Sequence, residues 1–293
     1  MKQSLLAVCA ALAVTASSAQ ATGAPLGRRP CGQRVFFPGA QSGTGHLEVV
    51  GLTNDQRLVC FNEGTPAFAR TIGTVSGLSG GDSRLVGIDF RPATGELWGL
   101  GNLGGLYRID LASASAERRA QLSAALNGTQ FDVDFNPTVD RLRIVSDAGQ
   151  NLRANVDTGM TSEDLALNYP ATTPATGISG AAYTNNDGSG DTATTLFDID
   201  ATLDQIVIQS PPNNGNLAVT GELLVDALDD IGFDIYSTVR GGRTTEVRGL
   251  AAFSSAGRAR LFRINLLTGR ASMVGTFNLK DQVTDIAIPL IQL

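Results

Sequence analysis

Histidine, lysine and cysteine are scarce in this 293-residue chain, and each shortage removes a class of function. The single histidine, His46, has no second histidine with which to share a metal, and a Ser-His-Asp triad would have to use it. Lys2 and Lys280 are the only lysines and the formal net charge is −6, so the chain lacks the concentrated basic face that binds nucleic acid. We expect no nucleic-acid partner, no metal centre and no histidine-based catalysis.

Long apolar runs and enzyme fingerprints are also missing. No GxSxG, Walker or dinucleotide-binding motif stands in a strand–turn–helix context. Residues 1–21 read as a secretory signal, with Lys2, an apolar run over Leu5–Val14 and a small-residue cleavage site at Ala19–Ala21. No later stretch approaches the roughly 18 apolar residues of a membrane helix. The sequence predicts an exported periplasmic or extracellular protein without a membrane span, beginning near Thr22.

What the chain does contain is a repeated unit that opens with an apolar strand of the form GxDF. It appears at Gly87–Phe90 and Asp132–Phe135, with looser copies further along. Alignment of the central residues gives steps of 45, 48, 52 and 52 residues, the spacing of four-stranded propeller blades. The aligned residues are Ile88, Val133, Ala181, Phe233 and Asp285. An all-β, five-bladed β-propeller is predicted, with a two-sheet sandwich as the alternative.

The two ends of the repeat predict how the ring closes. Val283–Pro289 has the form of a first strand with nothing after it, whereas His46–Leu52 looks like a second strand that lacks a first. We expect the C-terminal strand to pair with the N-terminal blade, which leaves no open edge between the first and last blades. Residues 22–45 would then form an N-terminal arm, and residues 46–293 a single propeller domain.

Two cysteines remain after removal of the signal, Cys31 in the arm and Cys60 in the first blade. In an oxidising compartment an even pair of cysteines is more often bridged than free. We predict a Cys31–Cys60 disulfide that attaches the arm to the first blade. The alternative is two separate thiols.

Long loops on one rim of adjacent blades are the predicted binding surface, because propellers place binding residues on such loops. Unit four has insertions at 184–191 and 211–215, and unit five at Tyr236–Thr245. Amides there suit hydroxyl-rich ligands such as glycans, and the two arginines suit a carboxylate or sulfate. The predicted binding residues are Asn185, Asn186, Asp187, Asp191, Asn213, Asn214, Arg240 and Arg243. The alternative is that Asn, Asp and Gly serve there only as turn residues.

Calcium is a weak further possibility for the first of these loops. Oxygen ligands alternate at Asn185, Asp187, Ser189 and Asp191, but no glutamate follows to complete an EF-hand. We therefore expect no cofactor.

Repeated carboxylates and a charged third unit offer two more candidate sites. Asp89, Asp134 and Asp234 recur at one register, so acid/base catalysis in a ring of carboxylates is conceivable. Repetition in several blades favours the structural interpretation, in which each bonds to backbone or to an arginine of the next blade. The charges from Asp140 to Arg153, among them Arg143, fit either salt bridges between blades or an anion-binding cleft.

The strings Phe135–Pro137, Asp140–Asp147 and Gly149–Arg153, continued in Ala182–Asn186 and Gln209–Gly215, resemble the exported bacterial family known as domain of unknown function 4394. The resemblance covers roughly Leu47 to Pro289 and implies a propeller-like repeat domain, without an established activity or catalytic residues.

Together these features predict a non-catalytic binding module, for glycan or for another envelope protein. One alternative is a carboxylate-dependent glycoside hydrolase, which needs two facing acids about 5–10 Å apart. Its candidate acids are Asp187, Asp191, Asp229 and Asp230. The other alternative is a purely structural envelope component.

Overall fold

The computed structural model describes residues 46–185, 192–240, 243–290 and 292. Five antiparallel sheets of four strands each surround one axis. Blade 1 holds β1 (Glu48–Thr53), β2 (Arg57–Asn62), β3 (Arg70–Thr74) and β22 (Val283–Ala287). Blade 2 holds β4 (Leu85–Phe90), β5 (Leu97–Gly101), β6 (Gly105–Asp110) and β7 (Ser115–Gln121). Blade 3 holds β8 (Phe131–Asn136), β9 (Arg141–Ser146), β10 (Asn151–Ala154) and β11 (Thr161–Glu163).

Blade 4 holds β14 (Ile178–Tyr183), β15 (Leu196–Asp200), β16 (Gln205–Gln209) and β17 (Leu217–Glu222). Blade 5 holds β18 (Leu228–Arg240), β19 (Arg243–Ser255), β20 (Arg258–Ile264) and β21 (Ala271–Thr276). A small hairpin, β12 (Asn168–Tyr169) and β13 (Thr173–Pro174), joins blades 3 and 4. Helical structure in the described ranges is limited to 3-10 turns at Pro66–Phe68, Pro170–Thr172 and Pro212–Asn214. None of the described segments is a helix long and apolar enough to cross a membrane.

The predicted five-bladed propeller and its closure are both confirmed. The sheet order of blade 1 is β22, β1, β2, β3, and Ile286 of the last strand pairs with Gly51 of the first. The two ends of the described chain therefore share one blade. The sheets consist of short strands in which apolar and polar residues alternate, and pairing of β22 with β1 closes the ring.

The predicted alignment was wrong by one residue in the last unit. Carboxylates reach from blade to blade at a fixed register, and Asp285 accepts the N–H of Ile88 just as Asp132 accepts the N–H of Ala181. Asp285 therefore corresponds to Asp132, and Ile286 corresponds to Ile88. Apolar spacing could not detect the shift, because β22 lacks the GxDF string that fixes the register of the earlier units.

Apolar clusters fill the spaces between adjacent blades. Leu85 and Ile88 of blade 2, for example, pack with Val50 and Leu52 of blade 1. The inner strands β4, β8, β14, β18 and β22 each contact the next around the ring. The space between blades 3 and 4 differs, because blade 3 contributes only Val145 to its buried apolar cluster and polar side chains occupy much of the remainder.

Candidate functional site

Three carboxyl groups meet at the axis of the propeller. Asp89 lies on β4, Asp134 on β8 and Asp234 on β18, and one carboxylate oxygen from each lies within 4.8 Å of the others. Blade 5 borders neither blade 2 nor blade 3, so residues of these three blades come together only at the centre of the ring. All three side chains are buried.

Each axial carboxylate joins two blades through the backbone. The N–H of Phe135 donates to Asp89 Oδ2 at 2.7 Å, and the N–H of Ile288 donates to Asp234 Oδ2 at 2.5 Å. The second oxygen of Asp89 accepts the N–H of Phe90 at 2.6 Å. These bonds agree with the structural interpretation of the repeated aspartates.

A second level of carboxylates, Asp132 and Asp285, lies on the inner strands two residues before the register of the axial carboxylates. The N–H of Ala181 donates to Asp132 Oδ2 at 2.8 Å, and the N–H of Ile88 donates to Asp285 Oδ2 at 2.6 Å. Blades 2, 4 and 5 have glycine at the corresponding positions, Gly87, Gly180 and Gly232. The sequence analysis missed this level, although an aspartate two residues before Asp134 was a visible signal.

Burial is the main cause that raises the pKa of all five carboxyl groups, because the charged form loses its hydration. Repulsion adds to this effect, from Asp234 on Asp89 and from Asp285 on Asp132. The pKa of Asp234 rises to about 7. Either protons or a cation must therefore balance the cluster near neutral pH. Asp89, Asp134 and Asp234 offer the oxygen ligands that calcium and magnesium prefer.

A buried arginine organises the polar space between blades 3 and 4. Arg143 on β9 is 1% exposed, and its Nη1 donates to Asn151 Oδ1 at 2.6 Å and to Asp164 Oδ2 at 2.7 Å. Its Nη2 reaches Asn213 Oδ1 of blade 4 at 3.0 Å, and its Nε donates to Tyr183 Oη at 3.2 Å. Because this guanidinium is satisfied and closed to solvent, it does not form an open anion-binding cleft.

The interpretation of the third unit as a source of salt bridges between blades holds at Asp140. Arg91 of blade 2 donates from Nη2 to Asp140 Oδ2 at 2.6 Å and to Asp157 Oδ2 at 2.7 Å. Arg153 instead pairs with Asp164 inside blade 3, from Nε to Oδ2 at 2.6 Å. The charges of this unit therefore serve to join strands and blades.

Asp198, on β15, is a buried carboxyl group that the sequence analysis did not single out. It is 0% exposed, and neither oxygen has a hydrogen-bond partner among the described residues. Burial raises its pKa, and the nearby positive charge of Arg143 opposes that rise. An aspartate between Phe197 and Ile199 at the centre of β15 is the signal that could have identified it.

Glu63 is a second buried acid, located between blades 1 and 5. It is 1% exposed, and its Oε1 accepts Arg248 Nη1 and Arg263 Nη2, each at 3.0 Å. His46 Nδ1 lies 3.6 Å from the same oxygen. The lone histidine thus lies beside an inter-blade ion pair, at the point where the described chain begins.

Asn185, predicted to bind ligand, forms a link between blades 4 and 5. Its backbone N–H donates to Ser237 Oγ at 2.9 Å, and its Oδ1 accepts the hydroxyl of Thr244. Its Nδ2 donates to the carbonyl of Ala193. Only 8% of the residue is exposed, and its φ of +61° is one that asparagine tolerates better than most residues. The amide therefore has little capacity left for a ligand.

The other predicted asparagines differ from Asn185 in their placement. Asn213 and Asn214 are exposed on the 3-10 turn after β16, and the Oδ1 of Asn213 is already used by Arg143. The remaining three predicted residues of the first loop lie outside the described ranges: Asn186, Asp187 and Asp191. Three of the four candidate calcium ligands, Asp187, Ser189 and Asp191, also lie outside the described ranges.

The predicted loop at Tyr236–Thr245 is instead an extension of a β-hairpin. Ser237 pairs with Val247 and Thr238 with Glu246, so β18 and β19 run on beyond the ring. Thr, Val and Tyr dominate this segment and favour strand over loop, a signal that the insertion argument overlooked. Arg240 and Arg243 pair at the tip of the hairpin, where both are exposed.

A cavity of about 620 Å³ lies between blades 4 and 5, on the rim where the predicted loops emerge. Thr184, Thr195 and Phe197 line it from blade 4. Blade 5 contributes apolar residues that sequence reasoning did not select, together with the turn from Asn265 to Arg270. These residues are Val247, Ile264, Leu266 and Leu267. The residues that shape this cavity are mostly different from the predicted binding residues.

Asp230 is the one candidate acid of the hydrolase alternative whose side chain the structure describes, and it does not lie on this rim. Asp230 lies seven residues before Ser237 on β18, about 23 Å by the rise of a strand. The side chain of Asp229, like Asp187 and Asp191, lies outside the described part. The axial carboxylates are close together but buried, so a glycan cannot reach them.

Fold and sites together define a closed five-bladed β-propeller with a carboxylate-lined axis and, on one rim, a cavity lined by both apolar and polar side chains. The chain belongs to the family described as Domain of unknown function (DUF4394), whose profile matches residues 57–287. No protein with a curated function matches the chain.

Several solved structures are similar in architecture. A structural genomics protein of unknown function from Bacteroides thetaiotaomicron VPI-5482 aligns with 74% of this chain at 10% identity and a TM-score of 0.49. TolB from Acinetobacter baumannii aligns with 85% of this chain and 67% of its own, at 13% identity and a TM-score of 0.43. Myxococcus xanthus glutaminyl cyclase aligns with 67% of this chain and 71% of its own, at 15% identity and a TM-score of 0.39. This chain covers 55% of the Bacteroides protein, about half its length.

Proposed function

We propose that this protein is an exported, non-catalytic binding module that takes an apolar side chain of a partner envelope protein into the cavity between blades 4 and 5. The observation that carries the proposal is the cavity itself. Its volume of about 620 Å³ falls in the range of ligand sites, and its lining is mainly apolar. Export is inferred from the signal-like residues 1–21.

Exposure at the edge of the cavity supports a protein partner. Leu267 is 82% exposed and Val247 is 42% exposed, and both line the cavity. Adjacent exposed apolar residues beside a polar rim are typical of surfaces that bind protein. Thr184, Thr195 and Arg270 supply polar groups around them.

Glycan binding has less support from the geometry. It relied on amides of the rim, but Asn185 is engaged between blades and Asn213 is partly engaged by Arg143. Among the described residues Phe197 is the only aromatic side chain that lines the cavity, and it is 6% exposed, so a sugar has little aromatic surface there on which to stack. Glycan recognition is therefore an outcome of the test rather than the proposal.

The test is a selection from a random peptide display library, run beside a glycan array, with three proteins. These are the wild type, the double variant Val247→Asp/Leu267→Asp, and the control Leu279→Asp, which changes a residue 73% exposed elsewhere. We expect peptides with an apolar anchor that bind the wild type and the control but not the double variant. Peptides that bind all three proteins equally, or a glycan whose binding the double variant retains, would contradict the proposal.

A further inference from the structure

A second groove runs along the outer edge of blade 1, away from the cavity just discussed. It has a volume of about 790 Å³ and is formed by β2, the 3-10 turn at Pro66–Phe68 and β3. Phe61, Ala67 and Phe68 form its apolar part, and Cys60 also lines it. Phe68 is 81% exposed, which is unusual for a phenylalanine beside a groove of this size.

The described chain enters the propeller at the end of this groove. His46 packs over Gly64, where an added Cβ would lie 2.7 Å from His46 Cε1. Thr65, the next residue, lines the groove. The residues that precede His46 therefore begin their path beside it.

Between the predicted cleavage site and His46 the chain contains one apolar run, Val35–Phe37, which begins four positions after Cys31. Cys31 lies fifteen positions before His46, a distance of up to about 50 Å when the chain is extended, so the length permits Cys31 to reach Cys60. A disulfide requires the two Cα atoms to come within about 7 Å, which would place Val35–Phe37 at the same groove.

Charge also favours contact between the N-terminal segment and the propeller. The chain has a net charge of −6, while its first 45 residues hold four basic residues and no acidic one, so the remainder carries −10. Three of those basic residues, Arg28, Arg29 and Arg34, flank Cys31. The segment is thus attracted to the propeller as a whole.

We propose that residues 31–37 dock in the blade 1 groove, with Val35–Phe37 against Phe61 and Phe68 and with Cys31 bonded to Cys60. Bond formation removes two protons and two electrons from the thiols, which pass to a disulfide oxidant that is itself reduced to a dithiol. The groove is then an intramolecular site that fixes the N-terminal segment. This proposal does not depend on the blade 4–5 cavity.

The first test is peptide mapping of the exported protein after alkylation under non-reducing conditions. We expect one cross-linked pair of peptides that contains Cys31 and Cys60. Recovery of both residues as alkylated thiols would overturn the pairing.

The second test separates docking from the disulfide. In a Cys31→Ala background Cys60 is the only thiol of the processed chain, and its reaction with a chromogenic disulfide reagent reports how well it is covered. Replacement of Phe36 and Phe37 by serine should raise the labelling rate at least tenfold, whereas Gln41→Ser, in the same segment, should not. Equal rates in the two variants would overturn the docking, and unchanged Trp98 fluorescence would show that both are folded.

Discussion

The axial carboxylates make the stability of the propeller depend on pH, and Asp234 allows the size of the effect to be worked out. Burial raises its pKa from an ordinary 3.8 to about 7. Because the folded chain holds this proton more tightly than the unfolded chain, the contribution to stability is fully present below about pH 4 and is lost as the pH rises through 7. The protein should therefore be more stable at pH 5 than at pH 8.

The magnitude follows from the shift. At about 1.4 kcal/mol for each unit, Asp234 alone should lower the free energy of unfolding by about 2–3 kcal/mol between pH 5 and pH 8. The two other axial groups, Asp89 and Asp134, and the second-level groups, Asp132 and Asp285, also have raised pKa values and change stability in the same direction. Carboxylates whose pKa is lowered, such as Asp157 beside Arg91, titrate below this range.

The assay is urea unfolding at pH 5, 6, 7 and 8 in the presence of a chelator, followed by the fluorescence of Trp98. Trp98 is the only tryptophan and is 2% exposed, so unfolding should shift its emission to longer wavelength. Asp234→Asn should flatten the dependence on pH by about 2–3 kcal/mol, whereas Asp226→Asn, at an exposed position, should not. A His46→Gln background removes the one imidazole of the chain.

Two results would refute this reasoning: equal stability at pH 5 and pH 8 in the chelator, or a pH dependence that Asp234→Asn leaves unchanged. A calcium or magnesium titration at pH 8 shows whether protons or a bound cation balance the negative charge of the axial carboxylates. If a cation occupies the three axial carboxylates, stability at pH 8 should rise with its concentration, and Asp234→Asn should weaken that rise.

Three further substitutions test the interfaces between blades. Arg143→Met should lower the free energy of unfolding by about 1–3 kcal/mol, because Asn151, Asp164 and Asn213 each lose a hydrogen bond between blades 3 and 4 while Arg153 still pairs with Asp164; an effect no larger than that of Arg141→Met in urea unfolding would contradict this. Asp198→Asn should raise stability at pH 8, because it removes a buried charge without hydrogen-bond partners among the described residues; a lower urea midpoint would mean that the carboxylate has an unrecognised role. Gly232→Ala should destabilise by about 1–3 kcal/mol, because its Cβ would lie 2.3 Å from the Cα of Asp285; an unchanged melting temperature would disprove such close packing.

The fold was largely predictable from sequence because its determinants repeat. The GxDF strands recur at intervals near 50 residues, and His46–Leu52 lacks a first strand that Val283–Pro289 can supply. Both features depend on local pattern, and the structure confirms them. The alignment of Asp285 was wrong because the cross-blade hydrogen bonds, rather than the spacing, fix the register.

The candidate sites were less predictable because they depend on contacts between distant residues. Arg143 meets Asn213 across 70 positions, and Glu63 meets Arg263 across 200. Asn185 looked like a free loop amide, but its partners Ser237 and Thr244 belong to another blade. A motif search reads residues that are neighbours in sequence, so it cannot show which polar groups are already satisfied.

Closure of the ring through β22 has a consequence for the order of folding. Strand β1 needs β22 as its inner neighbour, and more than 200 residues of chain separate the two. Blades 2 to 5 can each form from contiguous chain, but blade 1 stays without its inner strand until the last repeat has left the ribosome. During that interval the open edge of β1 can pair with another chain, so this step is the one most vulnerable to aggregation.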